Sequence, residues 1–404
     1  MHQVNFIVRE PLLDPKQKII GYEFSWSHYV SVADDLRKAN LIALIGFVAD
    51  LLSDDESGWL LGDNLLFLEV APDMLTVDAL RALSPKHTVL TLTMAELADP
   101  DILPSIIKLR ELGFGIALKN ANLTAREKPY FSHITHVEVN FSSDDFALQA
   151  KVYSSFKQSG LCMLARKIDN WHQFDACASL GLPAFVGKLH LTPRSGGQQK
   201  GLNPAQTIIL QLMDMVRKNA DIYQLEEVLK RDPTLSYKLL RYINSAGFGL
   251  GREVQSLRQA VQVLGYSPLY RWLSLLLATA SSNGYSPVLM ETAIIRGRLA
   301  ELLGKKALSK EQSENLFIVG MFSLLDRLLG IPMEEVLARI QLPEMVSKAL
   351  LSREGIYGPF LALAEACELS TALVGTLAAS LNISPVEVDN AHISALVWVK
   401  KLTI

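Results

Sequence analysis

The chain has 404 residues, with 39 basic and 42 acidic side chains, a formal net charge of -3, 49% hydrophobic and 20% charged residues. That length predicts two or three domains. The hydrophobicity excludes a disordered chain, and the lack of a basic surplus argues against a general nucleic-acid binder.

In chain order, Val4–Arg9 and Ile19–Trp26 read as strands around the polar turn Asp14-Pro15-Lys16-Gln17. So short a connection favours an antiparallel pair. A helical pattern covers Ala33–Leu52, then a strand Leu65–Val70, a helix after Asp73 and a strand Thr88–Thr93. A helix Ile102–Leu112 precedes a strand Gly115–Lys119, and another strand lies near Ile134–Val139. The helix Phe146–Ser159 leads to a strand Leu161–Ala165, and the helix Trp171–Leu180 to a strand Ala184–Val186. Repeated strand–helix–strand order predicts a parallel α/β sheet. About eight strands suffice for a (β/α)8-type barrel whose first connection is irregular.

The stretch 190–203, HLTPRSGGQQKGLN, has linker composition. Beyond it no strand pattern recurs. Asn203-Pro204, Asp232-Pro233, Ser267-Pro268, Ser286-Pro287 and Ser384-Pro385 each place proline after a capping residue, where its missing N–H costs nothing. Leu235, Leu239, Leu240 and Ile243 follow at helical spacing. The expected division is a barrel over 1–189, a linker over 190–203 and an all-helical domain over 204–404. The uncharged stretches Trp272–Met290 and Leu369–Val386 carry polar or proline interruptions and read as buried helices, not membrane spans. Cys162, Cys177 and Cys367 are too few and too scattered for a disulfide framework or a zinc site, which fits a reducing cytosol.

Barrel chemistry sits at the C-terminal ends of the strands. Those ends offer Glu23, Glu69, Thr91, Lys119, Asn120, Glu138, Asn140, Arg166 and Asp169. A two-metal hydrolase needs several converging carboxylates. Here Lys119 and Arg166 stand among the acids, so the residues read as a mutually neutralised cluster holding no metal or cofactor. His133 and His136 read as a polar cap at a strand entry, and His28 and Trp26 as packing or hydrogen-bonded residues in preference to ligand contacts. The glycine run Gly247–Gly251 lacks the lysine of a phosphate loop and reads as a turn. Arg241 and Asn244 share a helix face, where they cap the following loop or touch a partner.

The first half resembles the EAL domain, a barrel family of cyclic-di-GMP phosphodiesterases. The segments REPLLDPKQKIIGYEF, LLFLEVAPDML, KLRELGFGIALKN and ARKIDNWHQFDACASLGLPAFVGKL carry the likeness, in the family's order. The resemblance places the family's E-x-L-x-R motif on Glu23 to Ser27, keeping the glutamate but putting serine where an arginine grips the dinucleotide phosphate. It places Glu69 on a metal-binding asparagine and Thr91 on a glutamate. Lys119, Asn120 and Ala121 fall on paired aspartates, and Glu138 and Asn140 on a K-x-D pair. Arg166 falls on a glutamate, and Asp169 approximates a second acid. The resemblance therefore implies a degenerate domain, inactive and a poor dinucleotide binder.

The second half resembles the HDOD domain, a relative of metal-dependent HD phosphohydrolases. It carries D-P-x-L at Asp232–Leu235, a basic-x-x-Asn-Ser element at Arg241–Ser245, SLRQA at Ser256–Ala260 and Leu264-Gly265. Ser323-Leu324 stands near the His-Asp pair of an active HD enzyme, and His392 is the only histidine after the linker. One histidine cannot build that metal site.

The two resemblances together imply a bacterial signalling protein of the EAL–HDOD type. Such a protein is expected to be non-catalytic, to act through other signalling proteins and to serve motility, attachment and biofilm control. A residual cyclic-di-GMP phosphodiesterase and a nucleotide receptor without hydrolysis are the alternatives. An apolar-rich surface on either domain is compatible with a homodimer.

Overall fold

A computed structural model describes residues 6–26, 34–54, 58–75, 80, 83–121, 128–140, 153, 160–168, 170–192, 202, 204–244, 254–279, 287–340, 342–369 and 372–400. Eight strands close a barrel: β1 (Ile7–Leu13), β2 (Ile19–Trp26), β3 (Leu65–Glu69), β4 (Thr88–Leu92), β5 (Gly115–Leu118), β6 (His136–Asn140), β7 (Cys162–Arg166) and β8 (Ala184–Val186). Neighbours from β2 to β8 run parallel, whereas β1 is antiparallel to both β2 and β8. The expected eight-strand barrel with an irregular start is therefore present. The first strand is longer than its apolar run suggested, extending through Glu10 and Pro11 to Leu13.

The hairpin turn is held by Asp14, whose carboxylate accepts the N–H groups of Lys16 and Lys18 at 2.8 Å each. Helices α1 (Asp34–Leu52), α2 (Leu103–Glu111) and α3 (Trp171–Ser179) connect strands. A two-stranded ribbon pairs Ser53–Asp54 with Gly58–Trp59. Leu12, Phe67, Val89, Ala117, Leu164, Ala184 and Val186 form one buried cluster. Strand side chains alternate between faces. Glu10, Glu69, Thr91, Lys119 and Arg166 lie two positions from members of that cluster, so they share its face and stand at one end of it.

The chain forms two compact units. The first comprises 1–194, 286–288 and 366–397; the second comprises 195–285, 289–365 and 398–404. The boundary thus departs from the one expected, because residues 366–397 belong with the barrel. The physical reason lies in the final helices, α15 (Val374–Ser380) and α16 (Pro385–Lys400). Asp389 accepts the N–H of Ile7 at 2.9 Å, anchoring α16 to the first strand.

The second unit is helical: α4 (Pro204–Arg217), α5 (Ile222–Leu229), α6 (Pro233–Ile243), α7 (Leu257–Leu264), α8 (Tyr266–Thr279), most of α9 (Pro287–Gly304), α10 (Lys310–Phe322), α11 (Leu325–Leu329), α12 (Met333–Ile340), α13 (Glu344–Ser352) and the first two turns of α14 (Gly358–Leu369). Asp232 caps α6 by accepting from Thr234 and Leu235, as the Asp-Pro signal predicts. Ser267 differs from expectation. Helix α8 begins before it, at Tyr266, and its hydroxyl donates to Glu314 at 2.7 Å. Helices α9 and α10 cross where glycines meet: a methyl on Gly320 would lie 2.7 Å from the Arg296 carbonyl oxygen and from the Gly297 Cα. Among the described residues no helix is long and apolar enough to cross a membrane. All three cysteines are free.

Candidate functional site

The strand ends converge on one guanidinium. Arg166, the last residue of β7, donates from Nε to Glu138 at 3.1 Å and from Nη2 to the other Glu138 oxygen at 2.8 Å. Nη1 reaches Glu10 at 3.1 Å, and Nη2 also contacts Glu23. Beside this cluster, Lys119 donates to Glu69 at 2.9 Å. The Asn140 amide donates to the Asn120 side-chain oxygen at 2.9 Å, with Asn120 held at a positive φ of 52°. Thr91 is buried and pairs in register with Glu69. Ser27, His28 and Asp169 lie outside the described residues, as do Gly247–Gly251 and all of the predicted helix Phe146–Ser159 except Tyr153.

Glu10 is the member that the sequence reading missed. It stands on the antiparallel strand, opposite Glu23. Counting outward from Leu13 opposite Ile19 would place Glu10 against Tyr22. An irregularity between Leu12 and Leu13 shifts the register by one and brings the two carboxylates level.

Electrostatics follow from this crowding. Burial raises the pKa of Glu23; Arg166 opposes that rise, while Glu138 and Glu10 add to it. Burial alone would weaken the charge of Arg166, but Glu23 and Glu138 outweigh it and raise its pKa. The guanidinium is therefore fixed as a cation, and the second charge is the Lys119 ammonium. A buried divalent ion needs open carboxylate oxygens. Both oxygens of Glu138 are taken by Arg166, and Glu69 is taken by Lys119. The residues present do not fit a metal pair. Among the described residues no group of three or more His, Cys, Asp or Glu side chains is arranged to hold one.

His136 turns inward at the start of β6, edge-on to Phe67 with ring centres 5.2 Å apart, and bonds to the Thr135 hydroxyl at 2.7 Å. Burial, then Arg110, lower its pKa to about 4, so the ring is neutral near pH 7. His133 ends a short 3-10 turn before that strand.

In the helical unit Ser323 ends α10. Its hydroxyl donates to the Gly320 carbonyl at 2.6 Å and accepts from the buried Arg296 at 2.8 Å. Arg296 continues to Glu365 at 3.3 Å, which Arg353 also grips. An arginine thus lies against the position where the resemblance puts an HD pair. Asn244 spends its side chain on Val254, donating to the carbonyl and accepting from the N–H, both at 2.8 Å. It closes the following loop, the structural half of the expectation for that residue. Arg241 is exposed in the last turn of α6.

A family model described as "HDOD domain" matches residues 202–337. Residues 202–337 are an HDOD domain. This HDOD domain opens just before α4 and extends into α12. Two curated proteins are similar across both halves. One, from Bacillus subtilis, is 24% identical over 379 residues, covering 90% of each chain, and is named "Uncharacterized protein YuxH". The other, "Cyclic di-GMP phosphodiesterase CdgJ" of Vibrio cholerae, is 24% identical over 384 residues, covering 90% of this chain and 84% of its own. Among solved structures, "PaMucR Phosphodiesterase, c-di-GMP complex" is 15% identical, covers 46% of this chain and 90% of its own, with a TM-score of 0.37. Klebsiella pneumoniae BlrP1 is 17% identical and covers 46% of this chain and 55% of its own, with a TM-score of 0.39.

Proposed function

We propose that the chain is a non-catalytic signalling protein acting through protein partners in cyclic-di-GMP-linked regulation. One observation carries this reading: a single guanidinium, Arg166, binds Glu10, Glu23 and Glu138 where a hydrolase would need carboxylates open to metal. The buried Arg296 beside Ser323 supports the same reading for the helical unit. With neither site equipped to activate water, output passes through surfaces. The likeness over both halves to a protein named "Cyclic di-GMP phosphodiesterase CdgJ" supports the link to cyclic-di-GMP, with motility and surface attachment as the outputs that the EAL–HDOD resemblance suggests.

The test is incubation of the purified chain with cyclic-di-GMP in Mg²⁺ or Mn²⁺. The expected result is no linear dinucleotide above a metal-free control. Metal-dependent product would establish instead the second reading, a residual phosphodiesterase, which the name of the Vibrio relative favours. Calorimetry with the dinucleotide separates the receptor alternative, which requires saturable binding without product.

A further inference from the structure

The helical unit holds a cavity of about 490 Å³ between α4, α8, α10 and α13. That volume suits a side chain or a small ligand. Its apolar wall includes Val216, Ile318 and Val346, and the rings of Tyr266 and Tyr270 also line it. Four charged residues share the lining: Arg217, Arg271, Glu311 and Glu314.

The charges are not balanced within the wall. Arg271 is clasped by Glu301 at 2.6 and 2.8 Å and lies over the Phe317 ring at 3.9 Å. Arg217 lies 3.6 Å from Asp214. Both cations therefore have acids of their own. Glu314 accepts only the hydroxyl of Ser267, and among the described residues neither it nor Glu311 stands in an ion pair. The first turn of α10 eases the charge on Glu311, since a helix N-terminus favours an anion, but it leaves the carboxylate oxygens open.

An occupant that fits has an aliphatic stem for the apolar wall and a cation for the two carboxylates. We propose that this groove receives a lysine or arginine side chain from an extended segment of a partner protein. This deepens the reading of the chain as one that works through protein partners, and rests on it.

The test uses the full chain and three fluorescent nonapeptides, alike except for a central arginine, leucine or glutamate, followed by anisotropy. The arginine peptide is expected to bind at least tenfold more tightly than the glutamate peptide. Added salt should shrink that advantage, and Glu311→Gln with Glu314→Gln should abolish it with no more than a few degrees' fall in melting temperature, the share of the Glu311 charge at the helix N-terminus. Equal binding by all three peptides, no saturable binding, or a preference for glutamate would overturn the proposal. The hydrolysis assay on the same sample keeps the two ideas apart. Product there sinks the non-catalytic reading whatever the peptides do, and indifference to the peptides sinks only the groove.

Discussion

Arg166 holds Glu138 by a two-point fork, Nε and Nη2 each to a separate oxygen, and extends the same guanidinium to Glu23 and Glu10. Replacing it by methionine keeps the bulk and removes the charge, leaving Glu23 and Glu138 buried without a cation. Stranding buried charge in this way costs about 3–5 kcal/mol, or a fall in melting temperature of roughly 6–20 °C for a unit of this size. Thermal denaturation of Arg166→Met checks it. Part of the loss should return in mild acid, since burial already favours the neutral form of Glu23. A melt identical to the parent would mean that water reaches the cluster.

Lys119→Ala should matter less. Its side chain is 27% exposed and that of Glu69 21%, so solvent screens the pair. The expected loss is about 1 kcal/mol, the low end for an acid deprived of its partner. A loss equal to that of Arg166→Met would show that the two ion pairs act as one network.

Asp389→Asn tests the anchor between α16 and β1. Burial raises the aspartate pKa to about 7, opposed by the N–H of Ile7. A raised folded pKa means stability present in full below the ordinary value near 3.8 and lost as pH climbs through about 7. Asparagine keeps an oxygen for Ile7 and carries no charge. The variant should match the parent near pH 4 and exceed it by a few kcal/mol at pH 8, at about 1.4 kcal/mol per pKa unit. His392, buried and held neutral with its pKa lowered, pulls the opposite way in acid but does so in both proteins. Urea denaturation at pH 4.5, 6 and 8 reads the gap; a gap that does not change with pH would refute the assignment.

Gly320→Ala tests the crossing of α9 and α10. The added methyl meets backbone at 2.7 Å, which cannot rotate away. Overpacking of this kind costs about 1–3 kcal/mol. Gly297→Ala meets the Phe317 carbonyl oxygen at the same distance. The double variant should lose less than the sum, because the two positions touch.

Much of the barrel was legible because its pattern is local. Ile19–Trp26 and Ala184–Val186 are strands with the very limits that their apolar runs announce. The convergence of Glu23, Glu69, Lys119, Glu138 and Arg166 follows from the rule that parallel strand ends share one rim. Glu10 escaped because its strand runs the other way and its register slips at Leu12. Ser267 misled because proline is also tolerated inside the first turn of a helix, where no N–H is needed. The meeting of Gly297 and Gly320 was invisible, since each lies in an ordinary apolar helix and only their approach distinguishes them. The affiliation of residues 366–397 was equally hidden, because contacts such as that between Asp389 and Ile7 join positions far apart in the chain.

That last contact bears on how the protein is made. Ile7 and Asp389 are 382 residues apart. At about 5–20 residues per second on the ribosome, the nascent first strand waits roughly 20–75 s for the helix that seals it. The helical unit is threaded into the chain of the barrel unit. Truncation after the linker would therefore deprive the barrel of residues 366–397, which belong to its own unit, and damage there would injure strands made hundreds of residues earlier.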